Sequence, residues 1–400
     1  MSKRVAILTG GGDVPGLNMC LKSVVYSLID MGFEPIGVRK GWEGLINYNP
    51  IAPTTYSENF IELTKNMVRP IDRTPGSFLH SSRLEPRQVP RTKVPEHLRD
   101  PKSETQDLTK HIMGVLNKLD FRALIVIGDD DTLHYSAFLS QQGVPVIAIP
   151  KTIHNNIPGT DYSLGFSTGL ARGVAFIHEL RALAGSREQI IVVETFAAKS
   201  GYSTLIMGFL GGCDRVLIPE APYDPERLAK LIVQDRRQSP ANYAVLLICD
   251  GTQPREDKLE SYTQILSNGA GFKDKSAAFI REWVSSSSQE TNVSSGMVLA
   301  ELLSNISKEE VFLQQLTYLL RTGSPDGQDL LGAANFALTA ARLLREERYG
   351  RMAAFIKEKM WTDVDLSVAM QGVKTVDIDA WYDQENYKPK LSVIWSLENK

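Results

Sequence analysis

The hydrophobic positions of this chain alternate between short continuous runs and longer stretches with helical spacing. Strand-like runs fall at 5–8, 33–38, 124–127 and 144–149, and each closes on glycine or on a polar loop. Between and after them, apolar residues recur every three or four positions over 19–29, 111–119 and 170–184, which predicts helices. The same alternation returns later: strands at 190–193, 215–218 and 244–248, with helices at 203–210 and 225–235. It implies a second parallel sheet. Helices at 298–303 and 332–344 flank the segment LTYLLRTGS at 316–324, and no tandem repeat is present.

The remaining segments read as loops. Residues 41–45, GWEGL, follow the second strand, and 74–83 are rich in turn formers. The polar stretch 88–107 carries Pro90, Pro95 and Pro101 and reads as an exposed insertion, either a lid or a plain surface loop. Residues 253–291 show no assignable period, and the serines at 285–288 read as a flexible surface turn. A last strand is expected at 391–395.

Two junctions organise the pattern. The runs 124–127 and 144–149, joined by a helical segment, form a βαβ unit with both polar loops at the carboxyl ends of parallel strands. Open α/β sheets bind ligands at that edge. The first loop holds Gly128 and three carboxylates, Asp129, Asp130 and Asp131; the second runs from Pro150 through Lys151, Thr152, Ile153 and His154 to Asn156. Upstream, the strand at 5–8 enters Thr9-Gly10-Gly11-Gly12-Asp13 and then a helix. Such a loop either cradles phosphate with free backbone N–H groups or serves chain geometry alone. Its spacing is neither that of a dinucleotide fingerprint nor that of a P-loop.

Composition narrows the class. The 400 residues are 42% apolar and 23% charged, with 44 basic against 47 acidic side chains. That balance gives no basic field for nucleic acid or a membrane surface. Cys20, Cys213 and Cys249 lack metal-ligand spacing and read as buried free thiols in a reducing cytoplasm. No run is long enough for a signal peptide or a membrane span.

Three adjacent carboxylates repel one another unless they face a cation or cap a helix. Mg²⁺ bound through one or two of them, with phosphate oxygens completing its shell, is the first solution; a solvated helix N-terminus is the second. Taken with the glycine loop and Lys151, the set favours phosphoryl transfer.

The motifs GGGDVPGLN, GWEGL, the Gly-Ser-x-Leu-x-Ser-Ser-Arg segment at 76–83, GDDDT, PKTIHNN followed by GTDYSLGFSTGL, VLIPE and LLRTGSPDG occur in the order found in phosphofructokinases. The chain resembles that family over about 4–345. The resemblance implies an α/β fold of two parallel-sheet domains with the active cleft between them, divided near 1–150 with 320–370 and 151–319 with 371–400. Asp131 with Lys151 resembles the branch that uses pyrophosphate rather than ATP. An extra carboxylate where the α-phosphate of ATP would lie repels it, and the lysine balances pyrophosphate. By the same resemblance, Gly12, Asp13, Arg83 and Asp131 are donor-binding positions, and Asp130 is the Mg²⁺ position. Lys151 and Thr152 are catalytic positions, Thr152 also meeting the acceptor, with Glu220, Arg321, Tyr318 and Phe196 on the acceptor side. A homodimer or homotetramer in the cytoplasm is implied, with Arg187 reaching a neighbouring subunit.

The acceptor side departs from the family pattern. Where the family has Thr-Ile-Asp-Asn-Asp, this chain has Thr152-Ile153-His154-Asn155-Asn156, so the usual base is His154 and the second carboxylate Asn156. Arginines expected at Ala198, Gln189 and Phe312 are absent, and a usual histidine is Tyr318. A sugar-phosphate dianion is poorly held by such residues. Three readings follow: transfer to a sugar or polyol other than ordinary fructose 6-phosphate, with His154 as base; a catalytically silent paralogue that binds a ligand or regulates a partner, with His154 left by drift; or a slow 6-phosphofructokinase.

Overall fold

A computed structural model describes residues 2–52, 54–197, 199–268 and 294–390. The expected serine turn at 285–288, the expected strand at 391–395 and Ala198 lie outside the described residues. The chain divides into two compact units, Met1–Gly169 with Arg321–Val373, and Leu170–Leu320 with Lys374–Lys400.

The first unit is built on a seven-stranded sheet in the order Met360–Asp365, Arg351–Ile356, Val146–Pro150, Ala123–Gly128, Arg4–Thr9, Glu34–Val38, Phe60–Glu62. The five central strands are parallel and the two outer ones antiparallel. Central parallel strands are covered on both faces, which is why their sequences run apolar without alternation. Val5–Leu8 and Leu124–Ile127 are all buried. Register aligns Thr9 with Ile127 and Gly128 with Pro150. The glycine loop, the acidic loop and the Lys151 loop therefore leave the sheet at one edge.

The second unit carries a four-stranded, wholly parallel sheet in the order Val311–Gln315, Ile190–Thr195, Ala244–Cys249, Arg215–Leu217. The Pro225–Gln238 helix beside it starts on Asp224, whose side chain accepts from Glu226 and Arg227 N–H, with Pro225 in the first helical position. Arg215 binds Asp235 through two nitrogens, tying that helix to the sheet.

Four local expectations change. Residues 42–47 form a helix rather than a loop, because Trp42, Leu45 and Ile46 are buried and Trp42 packs edge-on to Tyr135 at 4.9 Å. The helix expected from 170 begins at Phe166, where Gly165 turns the chain at φ +96°. The 88–107 stretch is anchored: Val89–Pro90 pairs antiparallel with Thr105–Gln106, and Val89 and Val94 enter the core. Residues 151–169 belong with the first unit instead of opening the second. Asp161 N–H donates to Phe355 O at 2.7 Å and Thr152 N–H to Leu164 O at 3.0 Å, so the segment folds back onto the sheet it leaves. No helix among the described residues is long and apolar enough to cross a membrane.

Candidate active site

The glycine loop is shaped by Asp129. Gly10 N–H donates to Ile127 O at 3.1 Å, holding the loop to the neighbouring strand. Gly11 sits at φ +80°, and a Cβ there would lie 1.8 Å from Asp129 Oδ2, so only glycine fits. Gly12 N–H donates to the same oxygen at 3.2 Å. Asp129 also caps the Asp130–Gln141 helix, its Oδ1 accepting from Thr132 N–H at 3.3 Å and Thr132 Oγ1 at 2.7 Å. Residue order gives Asp129 no distinct role, because each of three successive aspartates before a helix is an equal N-cap candidate. Burial pushes its carboxyl up, but Lys151 and the bonds from Thr132 and Gly12 reverse this and leave it below the ordinary carboxylate range.

Lys151 is fully buried, and its Nζ donates to Gly12 O at 2.6 Å. Burial brings its ammonium down to about 8, with Arg321 and Arg83 adding to the fall and Asp129 and Asp13 opposing it. Both partners shift downward for a plain reason. Asp129 accepts three hydrogen bonds besides facing the ammonium, whereas Lys151 has two guanidinium groups nearby. Arg83 and Arg321 converge above the loop: a Cβ on Gly12 would lie 2.4 Å from Arg321 Nη1 and 3.0 Å from Arg83 Nη2. Arg321, expected among acceptor contacts, thus lies against the glycine loop of the first unit.

Asp130 and Asp131 occupy the first turn of the Asp130–Gln141 helix, where the helix dipole favours carboxylates. Asp131 is exposed and Asp130 half-buried. No group of three or more His, Cys, Asp or Glu side chains is gathered to hold a metal among the described residues. The donors fit a hard cation held by one or two carboxylates and completed by phosphate oxygens, the usual arrangement for Mg²⁺.

The loop after Pro150 presents His154. Its backbone N–H donates to Thr152 Oγ1 at 3.1 Å, Nε2 lies 3.5 Å from Arg321 Nη2, and Nδ1 has no hydrogen-bond partner among the described residues. Burial lowers the imidazole to about 3, helped by Arg321 and Arg83 and opposed by Asp129, although the residue as a whole keeps some solvent contact. The ring is neutral at neutral pH. Asn155 takes φ +51° and donates from Nδ2 to Asp161 O at 2.8 Å; Asn156 Oδ1 is buried without a partner among the described residues. Thr152 is buried beside them.

A second buried carboxylate braces this loop from behind. Asp329 accepts from Gly165 N–H at 2.7 Å, Thr168 N–H at 2.8 Å, Thr168 Oγ1 at 2.6 Å and the Tyr162 hydroxyl. Burial raises its carboxyl despite those bonds. Asp326, which caps the Gly327–Arg345 helix, accepts from Ser167 Oγ at 2.7 Å. Together they pin 162–168 to that helix. In the sequence these residues stand out only as motif positions, with no sign of the bracing.

In the second unit, Phe196 and Tyr318 meet edge to face at 5.1 Å, with Tyr318 70% exposed. Glu220 accepts from Gly201 N–H on both oxygens at 3.0 Å and from Val376 N–H at 2.8 Å. Phe312 lies on the outer Val311–Gln315 strand, and Gln189 just precedes the Ile190–Thr195 strand. Sequence reasoning passed over the 374–376 segment, which brings Lys374 Nζ to 5.6 Å from the Tyr202 ring.

Comparison with known proteins decides the family. The phosphofructokinase family model matches residues 4–344. The chain belongs to the phosphofructokinase family. The motif resemblance over 4–345 is thereby confirmed, and members of this family are phosphotransferases. The pyrophosphate–fructose 6-phosphate 1-phosphotransferase of Dictyoglomus thermophilum is 31% identical over 396 residues, covering 96% of this chain and 98% of the relative. An ATP-dependent 6-phosphofructokinase of Chloroflexus aurantiacus is 29% identical over 355 residues, covering 88% and 87%. Among solved structures, the pyrophosphate-dependent phosphofructokinase of Marinobacter aquaeolei superimposes with a TM-score of 0.72 at 15% identity, covering 98% of this chain and 89% of the other. That likeness is one of fold, two α/β units with parallel sheets.

Proposed function

We propose that this phosphofructokinase-family chain moves a phosphoryl group from pyrophosphate to a hydroxyl of a sugar or polyol that lacks the 6-phosphate of fructose 6-phosphate. The observation that carries the donor half is Lys151, buried against Gly12 and flanked by Arg83, Arg321, Asp129 and Asp13. A compact donor of high charge suits such a cluster. Asp131 at the exposed helix turn disfavours the longer phosphate chain of ATP, which remains the second-choice donor. Both donors occur among the names of similar proteins.

Mg²⁺, held by Asp130 and the phosphate oxygens, supplies charge neutralisation when bound. The chain's own residues do the rest. Gly12 and Asp13 border the donor loop, and Arg83 and Lys151 neutralise phosphate charge. Thr152 orients the acceptor hydroxyl, and His154 Nδ1 takes its proton. The acceptor oxygen forms the new P–O bond as the bond to the bridging oxygen breaks and orthophosphate leaves. An anionic donor beside the ring raises the proton affinity of His154 from its low resting value.

Uncharged Gln189 and Phe312, in place of arginines, support an acceptor without its own phosphate. Glu220, Phe196 and Tyr318 supply hydroxyl and ring contacts to a sugar. The chain acts as a cytoplasmic homodimer or homotetramer on this reading. The low basicity of His154 and the amide at Asn156 favour, as a second reading, a silent paralogue that binds pyrophosphate without transferring it. The names of similar proteins include fructose 6-phosphate 1-phosphotransferase and 6-phosphofructokinase, which supports a slow 6-phosphofructokinase as a third. A screen of pyrophosphate and ATP with Mg²⁺ against fructose 6-phosphate and a panel of unphosphorylated sugars and polyols separates all three.

A further inference from the structure

We infer that Arg321 is a donor-binding residue in this chain: with Arg83 and Gly12 it forms a two-guanidinium clamp on the terminal phosphate of pyrophosphate. The inference rests on the pyrophosphate reading above and reassigns a residue expected on the acceptor side.

Three observations support it. The guanidinium groups of Arg321 and Arg83 both come within 3.0 Å of one point, the place a Cβ would take on Gly12. They reach that point from remote parts of the chain, Arg83 from the turn-rich segment after residue 74 and Arg321 from the end of the Thr317–Arg321 turn. Two like charges brought together over a glycine face, with a buried ammonium on that glycine's carbonyl, make a strongly positive spot shaped for an anion. The residue type at 12 also matters. Any side chain there would displace both forks, whereas glycine lets the two guanidinium groups close in over the loop backbone. Finally, Arg321 sits beside His154 at 3.5 Å, so one guanidinium reaches both the phosphate and the base. An arginine fork binds phosphate oxygens in pairs, which a lysine cannot imitate.

The test is equilibrium binding, which needs no acceptor and no turnover. Isothermal titration of the full chain with magnesium pyrophosphate is compared for wild type, Arg321→Gln and Arg321→Lys, with thermal melting to confirm folding. A lost charge-assisted contact of this kind weakens binding by about 10- to 100-fold. The clamp predicts a loss of that size in Arg321→Gln and an intermediate loss in Arg321→Lys, because the charge is kept and the fork is not. Unchanged pyrophosphate affinity in folded Arg321→Gln, with wild type binding well, overturns the clamp and leaves the donor reading standing. Failure of wild type to bind pyrophosphate removes the donor reading and the clamp together. Should Arg321→Gln not fold, Arg321→Lys decides alone: wild-type affinity there contradicts the clamp.

Discussion

Lys151 Nζ donates to Gly12 O at 2.6 Å, joining the loop that follows one sheet strand to the loop that follows another two places away in the sheet. Asp129 occupies the position between them, accepting from Gly12 N–H and facing the ammonium. The bond fixes the floor of the proposed donor site.

Its charge state sets a pH dependence. With Lys151 brought down to about 8 by burial, its ammonium is lost as pH rises through that value, and affinity for pyrophosphate falls with it. Pyrophosphate titrations at constant Mg²⁺ from pH 7 upward should show the break in wild type. Lys151→Met should bind more weakly and show no break there; a break persisting near pH 8 in that variant assigns it to another group. The same lowering has a stability counterpart. The unfolded lysine titrates near 10.4, so the unfolded chain holds the extra proton between about 8 and 10.4, and this group's contribution to stability rises with pH across that window.

Gly11→Ala tests the loop's shape. The added methyl meets Asp129 Oδ2 at 1.8 Å in a backbone conformation unfavourable to alanine, so the carboxylate must leave Thr132 and Gly12. A loss of about 2–3 kcal/mol is expected from denaturant unfolding, together with loss of pyrophosphate binding. A variant as stable as wild type with full affinity contradicts this packing.

His154 separates chemistry from binding. As base, its replacement by alanine lowers turnover by about 10²–10⁴-fold while pyrophosphate affinity stays within a few-fold. Unchanged turnover in His154→Ala removes the role. The residue also leaves a mark on acid stability. Its folded value is held down by burial, so its contribution is fully present above about 6.5 and is lost as pH falls toward about 3. His154→Asn should lose less stability than wild type over that interval.

Asp329 carries the bracing behind the loop. Its replacement by alanine strands Tyr162, Thr168 and Gly165 donors in the interior, and a loss of about 3 kcal/mol is expected in chemical denaturation. A change below about 0.5 kcal/mol places the support elsewhere.

Much of this arrangement was legible from residue order, and the limits are instructive. Runs such as those at 5–8 and 124–127 declare buried parallel strands because nothing polar interrupts them, and parallel strands bring their carboxyl-end loops to one edge. That was enough to bring Gly12 and Lys151 together. Asp129 was overlooked because three identical carboxylates in a row give no sign of which one turns inward; helix phase decides, and the cap takes the first. The place of the Arg321 guanidinium was hidden for another reason. A resemblance transfers a position along the chain, whereas the direction of a long flexible side chain depends on what surrounds it. The Trp42 helix was read as a loop because two glycines masked a burial pattern of only three residues.

The account turns on which hydroxyl receives the phosphoryl group. Initial rates of orthophosphate release from magnesium pyrophosphate should be measured with fructose 6-phosphate and with each unphosphorylated sugar or polyol at matched concentrations. The account predicts the fastest transfer to an unphosphorylated acceptor, with that activity lost in His154→Ala. Fructose 6-phosphate as the best acceptor, at rates ordinary for the family, contradicts it.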